Sequence, residues 1–269
     1  PSIAAQCINA IAGIELPFQQ WIEVIDILTG NVANDTSAEK LKDSSLEALG
    51  YICQDVNAAA VKSKSNQILT AIIRRMRQKE PVLVRRSATE AMLNVLELTK
   101  NNFAKTDDRN VIMRVVCEAT QAPDTRIRVA ALQCLVRIVS LYYNYMDTYM
   151  KEVLFAITVD AMKSPDNNVS LQGIEFWSNV FLEEWHLACQ EQEAREEDRT
   201  PNVVSRYYAK SALQHILPLL LNILVRREDD DEDEWVPAKA AGVCIMLLTK
   251  CTKDEIVPLI LPFIQQHFE

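Results

Sequence analysis

Apolar residues along this chain cluster in blocks with helical spacing, and every second block repeats one pattern: apolar, basic, variable, small, small, two variable positions, small or apolar, large. The copies read LKDSSLEAL from Leu41, VRRSATEAM from Val84, IRVAALQCL from Ile127, VSLQGIEFW from Val169 and, less closely, VPAKAAGVC from Val236. Their starts lie 43, 43, 42 and 67 residues apart. A second signal carries the same period. Pro81, Pro123 and Pro165 are spaced by 42 residues and precede a copy by three or four positions, where the fixed φ of proline suits a helix start. Asp124 and Asp166 follow two of them and are predicted N-caps.

Another apolar helix precedes each copy: WIEVIDILTGNV, NQILTAIIRRM, NVIMRVVCEAT, EVLFAITVDAM and LQHILPLLLNIL. Each unit therefore reads as helix A, short turn, helix B. Helices of about 20 residues reach roughly 30 Å, and one such pair cannot hide its apolar faces alone, so neighbours must stack. The predicted fold is all-α: a single α-solenoid array over residues 1–269, a right-handed superhelix of antiparallel A/B pairs. It comprises a leading B helix near 2–14, five pairs, and a closing A helix near 254–268. The long spacing before the fifth copy is explained by CQEQEAREEDRTPNVV, a polar insertion at 189–204 read as a loop or a helix extension.

Composition sharpens this picture. Five glycines in 269 residues, against an average near 7%, leave little room for hairpins or phosphate loops. Seven cysteines form no CxxC pair and read as reduced thiols inside a cell. No secretory leader and no apolar run of membrane-spanning length is visible. A start at Pro1 without Met suggests a piece of something longer. The formal charge of −9 is concentrated: EDDDEDE, from Glu228 to Glu234, holds seven negatives, and the remainder is −2. That distribution argues against nucleic acid or an anionic membrane as ligand and for a basic protein segment. Three scattered histidines, with no HExxH, GxSxG, Walker A or GxGxxG motif, point to no catalytic residue, no metal and no cofactor. The chain is read as a binding protein, not an enzyme, and as a monomer.

Two local features stand out as candidate sites. The cluster YYNYMDTYM, from Tyr142 to Met150, lies between the third and fourth pairs; its rings wedge neighbouring repeats, or one of them, Tyr149, helps form an outer apolar slot. The acidic run Glu228, Asp229, Asp230, Asp231, Glu232, Asp233 and Glu234, followed by Trp235, interrupts the last pair. Negative charge at the head of a helix is favourable, and the indole would suit the stem or charge of a Lys or Arg.

SLEALGYICQD (Ser45–Asp55), SNQILTAII (Ser65–Ile73), VVCEATQAPDTRIRVAALQCL (Val115–Leu135), LQGIEFWSNV (Leu171–Val180) and the acidic run with Trp235 resemble, in order along essentially the whole chain, the importin-β (karyopherin-β) family of nuclear transport receptors. The likeness is to an internal slice, roughly the third to the ninth HEAT repeat. A HEAT scaffold of another kind, such as a phosphatase scaffold subunit, would share the period and prolines but not these long literal matches.

The resemblance implies a receptor that shuttles between cytoplasm and nucleus through the nuclear pore. It implies binding of FG-repeat nucleoporins on a convex face and cargo release on binding Ran-GTP. The family's nucleoporin slot maps onto Leu69, Thr70 and Ile73 on one A helix and Asp108, Val111 and Ile112 on the next. Where the family commonly has an aromatic residue, this chain has Val111. A second slot would use Tyr149 and Ile157. The acidic loop with Trp235 would contribute a partial site for Ran-GTP and for the basic IBB segment of importin-α.

Overall fold

A computed structural model describes residues 2–57, 59–200, 203–226 and 235–267. Among these residues there is no strand, and the α-helices are α1 Ile3–Glu15, α2 Glu23–Ala33, α3 Glu39–Asp55, α4 Ala59–Ser63, α5 Ser65–Arg75, α6 Val82–Val95, α7 Lys100–Ala104, α8 Thr106–Ala119, α9 Thr125–Tyr142, α10 Asp147–Tyr149, α11 Phe155–Met162, α12 Asn167–Glu196, α13 Tyr208–Leu224, α14 Pro237–Thr252 and α15 Val257–His267. The repeated pattern falls on the B helices: Leu41, Val84, Ile127 and Val169 are each the third residue of α3, α6, α9 and α12.

The predicted start signals act as physical caps. Pro81 is the N-cap of α6. Asp166 caps α12, its carboxylate accepting from the backbone N–H of Asn168 at 3.0 Å and Val169 at 3.3 Å. Asp124 accepts from the N–H of Arg126 at 3.0 Å and pairs with the guanidinium of the same residue at 2.7 Å. These bonds satisfy N–H groups that a helix start leaves without partners.

The chain divides into two compact units, residues 1–138 and 139–269, with the division inside α9. In the first unit α1, α3 and α6 pack side by side, α2 packs on α3 and α5 on α6, and α2 also meets α5. In the second, α11 packs on α12, α13 on α14, and α12 lies against both α13 and α14. Small residues permit the close approach. Ser45, Ala88 and Ala131 occupy one position of the repeat pattern and are buried, and Gly173 holds that position in α12. A Cβ on Gly173 would stand 2.7 Å from the backbone N of Met162 and 2.9 Å from the carbonyl of Thr158, both on α11.

The second position of the pattern ties helix B to the end of its own helix A. Lys42 Nζ donates to the carbonyl of Asp35 at 3.0 Å, Arg85 Nε to that of Met76 at 3.1 Å, and Ser170 Oγ to that of Met162 at 3.1 Å. Terminal carbonyls of a helix need donors, and a cation there also meets the negative end of the helix dipole.

The polar stretch from Cys189 proves to be helical as far as Glu196, extending α12 to 30 residues. The chain then returns through Tyr207, which has a φ of 57°, into α13. Glu184 receives that entry: its buried carboxylate accepts from the N–H of Tyr208 at 2.6 Å, the N–H of Ala209 at 2.9 Å and the hydroxyl of Tyr143 at 2.6 Å. The Tyr143 oxygen in turn accepts from the N–H of Arg206 at 2.9 Å. Burial, with the Glu184 carboxylate beside it, pushes the Tyr143 phenol well above its ordinary range.

Candidate binding surfaces between A helices

The predicted nucleoporin positions of the first unit lie on α5 and α8. Leu69 and Ile112 are buried, Ile73, Asp108 and Val111 are partly exposed, and Thr70 is exposed. Ile73 and Val111 keep some accessible apolar surface. The two helices are joined through Asn102 of α7, whose amide donates to Asn66 Oδ1 at 3.0 Å and to Asp108 Oδ2 at 3.3 Å. The sequence offers no signal for this role, because Asn102 lies outside both the repeat pattern and the apolar blocks.

Thr70 also lines a groove on the other flank of α5, facing α2. That groove is about 460 Å³, with small residues Gly30, Ala33 and Ala71 among its lining and Asp26 and Arg74 at its edge. Its charges are internally paired: Asp26 with Lys64 at 2.7 Å, and Arg74 with Asp35 at 2.6 Å. Lys64 and Gln67 hold the Asp26 carboxyl below its ordinary value, and Arg75 does the same for Asp35.

In the second unit Tyr149 is partly exposed on α10 and Ile157 is buried on α11. A π-helical turn over Met150–Leu154 separates the two helices. Beside it a groove of about 450 Å³ opens toward α13, lined by Met150, Phe155, Trp177 and Tyr208 with Asp147 and Arg206 at the edge. Trp177 is fixed there by an N–H bond to Thr158 Oγ1 at 3.1 Å and an edge contact with Phe155 at 5.8 Å. Another groove, of about 590 Å³, runs between α13 and α15. The aromatic cluster around Tyr142 signals the first of these two grooves; nothing in the sequence singles out the second.

The acidic positions Glu228 to Glu234 lie outside the described residues. Trp235 is described, half-exposed, with its indole N–H 3.2 Å from Glu175 Oε1. Among the described residues no group of three His, Cys, Asp or Glu side chains is placed to hold a metal ion, and no helix is long and apolar enough to cross a membrane.

Paired helices repeating near 42 residues, stacked B on B and grooved between A helices, define an α-solenoid of HEAT type. The comparisons name its family. Importin subunit beta-1 of Schizosaccharomyces pombe is 40% identical over 268 residues, 99% of this chain and 31% of that protein. The Arabidopsis thaliana protein of the same name is 40% identical over 98% of this chain and 30% of its own length. Yeast importin-β (Kap95p) superposes on 98% of the chain and 31% of that structure with a TM-score of 0.91 at 38% identity. A Kap95:Nup1 complex and a Kap95p structure with RanGDP each superpose with a TM-score of 0.86 over 98% of this chain and 31% and 30% of theirs. No family model matches. The chain belongs to the importin-β family and spans about 30% of the length of these relatives.

Proposed function

We propose that this chain is part of a nuclear import receptor and that its own contribution is to bind FG-repeat nucleoporins between the A helices α5 and α8. The observation that carries the reading is partly exposed Ile73 and Val111 beside buried Leu69 and Ile112, on helices linked by Asn102, in a chain 40% identical to importin subunit beta-1. That Kap95p is solved in one structure with Nup1 and in another with RanGDP supports nucleoporins and Ran as partners of the whole protein.

A shallow apolar slot suits a phenylalanine ring. Burying one ring contributes about 2–3 kcal/mol, less the cost of ordering a flexible peptide, so each contact is weak and short-lived. Such contacts suit passage through a pore. The positions mapped to a second slot, Tyr149 and Ile157, lie one pair further along the chain.

Trp235 and the acidic positions Glu228 to Glu234 contribute a partial surface for Ran-GTP and for the basic IBB segment of importin-α. Glu175, held by the Trp235 indole, adds a further carboxylate to it. The protein acts by binding, without catalysis, in a single continuous HEAT array that shuttles between cytoplasm and nucleus.

Fluorescence polarisation with a labelled FxFG peptide tests the slot. The expected result is weak, saturable binding that changes little with salt and is lost in Ile73→Asp. Binding unaffected by Ile73→Asp, or steeply weakened by salt, would overturn the assignment.

A further inference from the structure

Asn102 is a buried amide, 8% exposed, with both of its hydrogens committed. Its Nδ2 donates to Asn66 Oδ1 at 3.0 Å, near the start of α5, and to Asp108 Oδ2 at 3.3 Å, in the first turn of α8. A carboxylate only accepts, so the partners fix which way the Asn102 amide points. An amide taken out of water needs such partners, and here they come from two different A helices.

The short helix that carries Asn102 is itself anchored. Thr99 and Phe103 are fully buried. The Phe103 carbonyl accepts from Nη1 of Arg109 on α8, and Thr99 Oγ1 donates to the carbonyl of Leu96 at 2.7 Å. A side chain supported in this way holds its neighbours at a set geometry.

The bridge reaches the mapped slot at two points. Asp108 is one of the slot positions, and the backbone carbonyl of Asn66 accepts from the hydroxyl of Thr70, another, at 2.7 Å. Ile73 lies three residues after Thr70 and Val111 three after Asp108, so each stands one turn along the same helix face from a bridged residue.

Resting on the reading that the α5–α8 slot binds phenylalanine-bearing segments, we propose that Asn102 is a positioning residue for that slot. It touches no ligand. It sets the separation of the two helices that carry Ile73 and Val111, and it aims the Asp108 carboxylate so that one oxygen stays on Asn102 while the other accepts a backbone N–H of the bound segment. The affinity of the slot then depends on a residue outside its wall.

The test measures FxFG affinity from the Ile73 and Val111 methyl shifts of the whole chain. Asn102→Asp replaces the donor with a second carboxylate facing Asp108. Adding Asp108→Asn restores one donor and one acceptor in the same space, and Asn66 can turn its amide to meet the new carboxylate. Asn102→Asp is expected to weaken binding about tenfold, the effect of losing a hydrogen bond to a charged group, and the paired variant to recover to within about threefold of the native chain. Native affinity in Asn102→Asp overturns the proposal and leaves the slot standing. A paired variant as weak as Asn102→Asp also overturns it, because the restored bond would then carry none of the effect. Asn66→Ala breaks the other arm of the bridge at an exposed position and decides the matter if Asn102→Asp does not fold: about threefold weaker binding is expected from the loss of one neutral hydrogen bond, and native affinity overturns the proposal. A native chain whose Ile73 and Val111 methyls do not shift with FxFG overturns the slot reading itself, and this inference with it.

Discussion

Arg85 donates from Nε to the carbonyl of Met76 at 3.1 Å, joining the first turn of α6 to the residue that ends α5. Arg85 is buried, so removing it leaves a helix-terminal carbonyl without a partner and opens a gap at the A/B corner. Arg85→Ala is expected to lower unfolding free energy by about 2–3 kcal/mol, read from urea denaturation. Ser170→Ala, which removes a neutral donor at the same position of the pattern, is expected to cost about 1 kcal/mol. An equal loss in both would show that the charge contributes nothing.

Gly173→Ala tests the approach of α12 to α11. Its Cβ would meet the Met162 nitrogen at 2.7 Å, which is backbone and has no rotamer to change. Overpacking of this kind costs about 1–3 kcal/mol, more than the small gain alanine brings to a helix interior. A lowered melting temperature is expected. An unchanged or raised one would mean that the helices separate freely.

Both corners were half-legible from sequence. The repeat pattern identified the small and basic positions and implied that the helix pairs stack, because 42-residue spacing and helical periodicity are chemical regularities of the chain. What the second position of the pattern donates to was not legible: Lys42, Arg85 and Ser170 reach carbonyls at or just beyond the end of helix A, whereas Arg128 donates to Thr125 Oγ1 on its own helix. The α5–α8 positions came from literal resemblance. Asn102, which links them, and the proline-lined groove at α13–α15 carry no mark in periodicity, since polar and proline residues outside the pattern read as ordinary surface.

Glu184 clamps the entry to α13 through three accepted hydrogen bonds. In Glu184→Gln the side-chain amide nitrogen no longer accepts and faces donors. Hydrogen exchange is expected to quicken at the amides of Arg206, Tyr208 and Ala209, with about 1–3 kcal/mol of protection lost. Unchanged protection there would mean that packing alone holds the segment.

Burial pushes the thiols of Cys53 and Cys244 up to about 12 and that of Cys134 still further from its ordinary range. Thiolates are the reactive species, so iodoacetamide at pH 8 is expected to label exposed Cys7 and Cys189 first and to leave these three unmodified until urea unfolds the chain. Rapid labelling of Cys134 in the native state would contradict the burial of its thiol against the Thr89 carbonyl of α6.

Asp124 is held at about 2 by the Arg126 side chain and backbone, below its ordinary 3.8. A depressed carboxylate contributes stability that is present above pH about 4 and is lost as pH falls toward 2, because the unfolded chain binds the proton first. Urea unfolding between pH 4 and pH 2 should weaken less steeply in Asp124→Asn, which keeps a capping side chain but cannot titrate. Parallel slopes would show that Asp124 has the same affinity for protons in both states.

The slot itself is tested most directly by paramagnetic broadening from an FxFG peptide carrying a spin label beside its second phenylalanine, observed on labelled methyls. The account predicts that Ile73 and Val111 methyls in the first unit broaden at low peptide concentration and recover when unlabelled FxFG is added in excess. Broadening that spares Ile73 and Val111, or that unlabelled peptide does not reverse, would contradict a nucleoporin site between α5 and α8.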